Sequence, residues 1–220
     1  MKARVYSVSI GIALALNSSL IAADTYTIDP AHTRVGFSAR HLGISHVKGR
    51  FKEFTGTLVL EGDELKEATA TIQVQSIDTG VPQRDAHLRT PDFFDATNYP
   101  TITFKTKKVQ KDGGHLLLIG DFTMRGVTKE LALPLTLSKP IKDSSGATRI
   151  GLEASAKLNR QDYGVRHTEF LPTGAPDVAD EIELEINAEA TRDTRPKESS
   201  MLDTHADTKN MILGKLHECA

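Results

Sequence analysis

Eight histidines are the residues with the clearest capacity for chemistry, and their spacing bears on whether the chain binds a metal. His41 and His46 lie five positions apart, which would place them on opposite faces of a continuous strand. The sequence contains no Cys-x-x-Cys, His-x-x-x-His or His-Glu-x-x-His spacing. His205, His217 and Cys219 are alternative ligands for zinc or copper, but three scattered residues do not define a preformed site. The sequence therefore predicts neither a metal nor another cofactor.

Nucleophilic and acid–base catalysis have equally weak support. A nucleophile needs a neighbouring base and an oxyanion hole, and no Gly-x-Ser-x-Gly motif is present. Ser38 and the Ser45-His46 pair are the nearest candidates, and each is explained more simply as a strand or turn residue. Asp92 and Asp95 are more typical of helix caps or turns than of an acid and a base. We therefore predict that the protein is not an enzyme.

One long stretch, residues 76–104, is not explained by regular secondary structure alone. A break around Gly80 precedes a short charged segment, 83–90, that is compatible with a helix, and Pro91 should end that helix. Two adjacent phenylalanines, Phe93 and Phe94, follow it. A connection of this length within a compact β domain is usually functional or disordered, and its apolar content argues for an ordered lid or plug.

The densest polar cluster in this stretch consists of Arg84, Asp85, His87 and Arg89. One interpretation is a capped surface helix with Arg–Asp pairing. The other is a polar rim at the mouth of a barrel, with the two phenylalanines closing over an apolar interior. A mostly apolar pocket with a few placed polar groups is the usual form of a small-molecule site. The residues leave both interpretations open.

The elements that must position these residues are strands. About eight segments alternate apolar and polar residues with period two, most clearly Leu131 to Leu137, and no segment predicts a helix long enough to cover a sheet. The phase slips between Phe51 and Phe54, which indicates a bulge or bend. Pro134 should lie at an edge or an irregular pairing. Short turns between successive strands predict an antiparallel sandwich or an up-and-down barrel, which at eight strands could hold one small ligand or a filling of side chains.

The residue composition of both termini differs from that of the central segments. Residues 1–23 combine two basic residues, an uncharged apolar run and a small-residue exit, which predicts a signal peptide and export to the periplasm. Removing them takes away two of the 27 Lys and Arg residues and none of the 29 Asp and Glu residues, which leaves a net charge of −4. This mild acidity argues against nucleic acid as a partner. The composition of residues 192–220 predicts a C-terminal tail that is either frayed or folded into a short amphipathic helix. The tail holds the single cysteine of the chain, which cannot form an internal disulfide.

Several spaced motifs resemble the YceI-like family of bacterial lipid-binding proteins. They run in order from about residue 25 to 190, which makes the set far more specific than any one of them. The motifs are Asp29-x-x-His32-Thr33, His41-Leu-Gly43, Val47-x-Gly49-x-Phe51-x-x-Phe54-x-Gly56, Arg84-Asp-x-His87-Leu-Arg89-x-x-Asp92-Phe93, Tyr99-Pro100-x-x-x-Phe104, Gly120-Asp-Phe-Thr-Met-Arg-Gly126-Val-Thr128-Lys and Leu158-Asn159-Arg160-x-Asp162-Tyr163-Gly164.

The resemblance implies an all-β fold, an eight-stranded antiparallel lipocalin-like barrel with a short helical insertion, over residues 24–191. It also implies binding, transport or sequestration of a long isoprenoid lipid, such as a polyprenyl chain or an isoprenoid quinone. Fatty-acid amides or antibiotics sequestered under stress are alternative ligands, and a lipid-modifying enzyme is a third. A membrane surface, for lipid exchange, and a second copy of the chain are the further partners compatible with this interpretation.

Alternation and clustering select the candidate ligand-binding residues. Five should line the interior and three should lie near a mouth. The interior set is Phe37, Phe51, Phe54, Phe104 and Leu135, and the mouth set is His41, His87 and Phe94.

Overall fold

The structure, a computed structural model, describes residues 23–113 and 115–193. The strands in this part of the chain are β1 Ala23–Ile28, β2 Arg34–His41, β3 Ser45–Phe51, β4 Phe54–Glu61, β5 Glu64–Gln73, β6 Ile77–Asp78, β7 Thr101–Asp112, β8 His115–Met124, β9 Val127–Leu137, β10 Ile141–Lys142, β11 Thr148–Asn159 and β12 Val178–Arg192. Helix α1 spans Pro82–Leu88, and short 3-10 helices span Pro30–His32, Val74–Ser76 and Arg160–Tyr163. No helix among the described residues is long and apolar enough to cross a membrane.

The strands close into an eight-stranded antiparallel barrel, as the family resemblance predicted. The barrel wall has eight strand positions, which we call wall positions. β1 and β2 together occupy the first of them, and β3 and β4 together occupy the second. β5, β7, β8, β9 and β11 follow in chain order, each paired antiparallel with its predecessor. β12 closes the ring because it pairs with β11 on one side and with both β1 and β2 on the other.

Two predicted irregularities have structural counterparts in the wall. The phase slip corresponds to a break of two residues between Phe51, which ends β3, and Phe54, which begins β4. Pro134 pairs with Leu117 of β8, but the ladder between β9 and β11 stops one residue away, at Leu135. The missing N–H of a proline is tolerated at such an interrupted ladder.

The two ends of the barrel are built differently. At one end, apolar side chains from five strands are fully packed: Tyr26, Leu60, Leu65, Ile150 and Ala190. The other end, which we call the helix end, carries α1, the β2–β3 turn, the β8–β9 turn and the connections 74–100 and 160–177. Arg125 in the β8–β9 turn ties this end together because it donates to the carbonyl oxygens of both Pro91 and Gly164.

The predicted helix exists, with boundaries shifted by one residue at its start and two at its end relative to 83–90. The strand β12 continues through Arg192, beyond the alternation that ends at Ala190. Ala23 pairs with Glu61 at the start of β1. The rest of the predicted signal peptide, and the predicted tail from residue 194 onward with His205, His217 and Cys219, lie outside the described residues.

Candidate functional site

An apolar cavity occupies the barrel from its middle to the helix end. All eight wall positions contribute lining residues, and the empty space between the lining atoms is about 1570 Å³, which includes space open to solvent. Leu88 of α1 and the following Phe93 and Phe94 line it at the helix end. Inward-facing side chains such as Phe37 and Leu184 are only half-buried, although they belong to the core. The interior therefore offers apolar surface that remains uncovered by protein.

Six of the eight predicted ligand-binding residues line this cavity. They are Phe37, Phe51, Phe54, Phe94, Phe104 and Leu135. Period-two alternation places the five strand residues there, since successive side chains of a strand point to opposite faces of the sheet, whereas Phe94 belongs to the connection after α1. Phe51 lies between two other rings, with centroids 5.8 Å from Phe37 and 6.2 Å from Phe94. This row of rings connects the wall of the barrel with the segment that follows α1. Contact of these residues with a ligand stays a prediction.

The two remaining predicted residues, His41 and His87, lie one layer outside the cavity. His41 ends β2, and its backbone partner is the lining residue Val178. The ring of His87 packs edge-on against the lining residue Phe93, with the centroids 5.0 Å apart. Neither histidine lines the cavity itself. Both are placed to support the lining at the helix end.

The polar cluster of α1 is mostly structural, but without the Arg–Asp pairing that one interpretation expected. Asp85 is buried and accepts hydrogen bonds from the backbone N–H and the hydroxyl of Thr79, at 2.9 and 2.6 Å. Arg84 donates to the hydroxyl and carbonyl oxygens of the same Thr79. Arg89 donates to the carbonyl oxygens of Gln75 and Ile77. These bonds hold the helix against the segment that precedes it.

Arg160 is a cavity-lining residue that sequence reasoning missed, apart from its place in a family motif. Its side chain is only 4% exposed and lines the cavity. The guanidinium donates to four backbone carbonyl oxygens and to Thr168, and it lies 3.2 Å from Asp180; the carbonyls belong to Val165, His167, Val178 and Ala179. Burial lowers the pKa of Arg160, and Asp180 opposes this shift. Arg160 therefore holds the 160–177 connection over the barrel, and it is the only charged residue that lines the cavity in the described part of the chain.

The nucleophile candidates form no catalytic arrangement in the described part of the chain. Ser38 Oγ lies 3.4 Å from His46 Nδ1, a long contact on neighbouring strands, and no carboxylate there forms a salt bridge with His46. Neither residue lines the cavity. Asp95 accepts two hydrogen bonds from the Asn98 amide, as a turn-forming residue does. That the protein is not an enzyme stays a prediction.

Two clusters of His and carboxylate side chains come together from separate segments. Asp29, His32 and Glu189 form the first, and Arg149 already occupies it, with Nη1 2.8 Å from Asp29 and 3.3 Å from Glu189. Hydrogen bonds from Arg149 and then His32 lower the pKa of Asp29 to about 2. His87, Asp92 and His167 form the second, outside Phe93. The spacing rules missed this cluster because His167 is distant in sequence.

Comparisons with known proteins agree with this architecture. A family model described as a YceI-like domain matches residues 26–190. Protein YceI of Shigella flexneri is 36% identical over 178 residues, which cover 79% of this chain and 90% of that protein. The crystal structure of the Campylobacter jejuni YCEI protein is 32% identical, with a TM-score of 0.61 over 70% of this chain and 90% of that one. A polyisoprenoid binding domain from Saccharophagus degradans shares the fold with a TM-score of 0.59 at 16% identity, over 76% of this chain and 98% of that one.

Proposed function

Because this chain belongs to the family of YceI-like domains, we propose that it binds one long isoprenoid lipid in the barrel cavity. The observation that carries the proposal is the cavity lining, which is apolar on all eight wall positions. Each methylene group transferred from water into such a lining contributes about 0.8 kcal/mol before the costs of binding. A lipid chain can therefore be held by burial alone. The polyisoprenoid binding domain from Saccharophagus degradans, which has the same fold, supports this choice of lipid.

The polar end of the lipid would lie at the helix end of the barrel. The opposite end is filled by packed residues such as Leu60 and Ile150, each 1% exposed. Arg160 has no free donor for a head group, since backbone carbonyls, Thr168 and Asp180 surround its guanidinium. The chain of the lipid would thus point into the barrel and its head group toward solvent.

Lipid extraction tests the proposal directly. The protein is purified from an exporting bacterial host, its lipids are extracted into organic solvent, and they are identified by mass spectrometry. We expect about one isoprenoid molecule per protein chain. Fatty-acid amides in the same amount would replace the isoprenoid assignment with another ligand class. Repeatedly empty protein that also fails to take up an added isoprenoid alcohol would overturn lipid binding altogether.

We further propose that the helix end contacts a membrane in the periplasm, where the protein would exchange its lipid. Ile44 is 85% exposed in the β2–β3 turn, and Phe170 is 72% exposed in the 160–177 connection. The two loops adjoin, since the Leu42 N–H donates to the Asp177 carbonyl oxygen at 2.7 Å. Exposed apolar side chains on adjacent loops are typical of a surface that contacts another apolar phase. We place the membrane contact of the proposed function on these loops.

A vesicle-binding experiment tests this surface. Sedimentation with phosphatidylethanolamine and phosphatidylglycerol vesicles would compare the wild type with the double variant Ile44→Ser, Phe170→Ser. The control is Ile141→Ser, which removes an exposed apolar side chain, 63% exposed, at the opposite end. We expect the double variant alone to lose vesicle binding. Equal binding by all three proteins would rule out a membrane contact through these loops.

A further inference from the structure

We propose that His87, Asp92 and His167 bind one divalent transition-metal ion such as Zn²⁺. The ligand atoms of these three side chains all lie within 4.8 Å of one another. Imidazole nitrogen and carboxylate oxygen are both established zinc ligands, and three protein ligands with a fourth position open to water form a common zinc site. This binding site is independent of the lipid.

The distances fit a tetrahedral ion after small side-chain rotations. Bonds of about 2.0–2.2 Å place neighbouring ligand atoms of a tetrahedral zinc roughly 3.3–3.6 Å apart. His87 Nε2 lies 3.2 Å from Asp92 Oδ2, close to this separation. The ligand nitrogen of His167 has to move by no more than about 1.5 Å toward the other two ligand atoms to complete the site. The side chains of His87 and Asp92 are 48% and 58% exposed, so the small rotations that coordination needs meet little steric hindrance.

The surroundings hold both imidazole rings in place. Phe93 packs against both of them, with centroids 5.0 Å from His87 and 4.8 Å from His167. The two imidazoles are themselves 5.2 Å apart. Arg160 fixes the backbone of His167 because it donates to the His167 carbonyl oxygen at 2.6 Å. A bound ion would therefore join the end of α1 to the 160–177 connection across a residue that lines the cavity.

The other cluster, Asp29, His32 and Glu189, shows what sets this site apart. Asp29 and Glu189 are both bound by the guanidinium of Arg149, so a cation already neutralises the carboxylates beside His32. Within residues 23–113 and 115–193, Asp92 forms a salt bridge with His87 and with no lysine or arginine. Its negative charge is available to a metal ion. His32 therefore provides a matched control.

Calorimetric titration with ZnCl₂ tests the proposal on the full chain. The parent protein carries His205→Phe, His217→Phe and Cys219→Ser, so that ligands in the tail do not contribute. His167→Phe keeps an aromatic ring against Phe93 but removes the ligand atom, and Asp92→Asn keeps the shape of the side chain. We expect the parent to bind one Zn²⁺ and each variant to bind at least about tenfold more weakly, since loss of even an outer-shell partner of a metal site has an effect of this size.

His32→Phe in the same parent should bind Zn²⁺ as the parent does. Urea unfolding without metal establishes that the variants remain folded, and visible absorption of the Co²⁺-substituted protein provides a second readout of tetrahedral coordination. The proposal is overturned if the parent binds no Zn²⁺ at millimolar concentration, or if His167→Phe and Asp92→Asn both bind it as tightly as the parent.

Discussion

Filling part of the cavity with one side chain should weaken lipid binding without unfolding the barrel, and Ala154→Phe is the substitution best placed to do so. Ala154 lies on β11, is 7% exposed and lines the cavity. Its partners across the sheet, Leu135 and Ile186, line the cavity as well. A phenyl ring attached here enters the space that the lipid chain would occupy.

The size of the effect follows from the number of carbon atoms displaced. Ala→Phe adds six carbons, and excluding about six methylene groups of a lipid at ~0.8 kcal/mol each sets an upper limit of about 5 kcal/mol. Rearrangement of a flexible chain within the cavity reduces this loss. We therefore expect the dissociation constant to rise at least about tenfold, which corresponds to about 1.4 kcal/mol. The free energy of unfolding without lipid should fall by less than about 1 kcal/mol, because the ring fills empty space instead of overpacking the core.

The matched control is Ala132→Phe, which makes the same substitution on the outer face of neighbouring β9, where Ala132 is exposed. Equilibrium binding of radiolabelled geranylgeraniol, a C20 isoprenoid alcohol, would be measured for both variants, together with urea unfolding. An unchanged dissociation constant for Ala154→Phe would refute the cavity as the binding site. A loss of more than about 2 kcal/mol in unfolding free energy would show that the space beside Ala154 is already filled.

Three further predictions concern the charged groups and the lining. Arg160→Met should lower the free energy of unfolding by about 3–5 kcal/mol, because it leaves buried carbonyl oxygens and Asp180 without their partner; urea unfolding and amide exchange of residues 165–178 would measure this. In Arg149→Gln the pKa of Asp29, measured by ¹³C NMR titration, should rise from about 2 toward its ordinary value. The lowered pKa in the wild type stabilises the fold above about pH 4, and this contribution is lost as the pH falls from about 4 to 2. The variant should lack this contribution, so its stability should depend less on pH in that range. Phe104→Asp should weaken geranylgeraniol binding by placing a carboxylate in the cavity, and full lipid retention by a folded variant would contradict its inward orientation.

The barrel and its inward residues could be predicted because a strand couples sequence to geometry directly. Leu131, Leu133 and Leu135 occupy every second position of β9, and the structure buries these three and exposes the residues between them. β1 was not anticipated, because its Ala23–Ile28 segment falls at the predicted signal-peptide boundary and its alternation is limited to Tyr26 and Ile28. Its position is set by pairing with β4 and β12, which are distant in sequence.

The helix end was less predictable because its contacts depend on irregular backbone. One of the two interpretations expected Arg–Asp pairing within the polar cluster, but Thr79 provides hydrogen-bond partners for both Arg84 and Asp85. Arg160 and His167 belong to a connection without periodicity, so no pattern indicated that one would bind the carbonyl oxygen of the other. The family motifs mark several of these residues, but only the fold shows what each of them contacts.

The cavity itself depends on two glycines in the barrel wall, Gly49 and Gly120. Phe37 pairs across the sheet with Gly49, and a Cβ at Gly49 would lie 2.3 Å from Phe37 Cζ. A Cβ at Gly120 would likewise lie 2.8 Å from Cζ of Phe104. Both rings therefore lean across a neighbouring strand, over a position without a side chain. Glycine on the adjacent strand thus makes room for a large aromatic residue in the wall of the cavity.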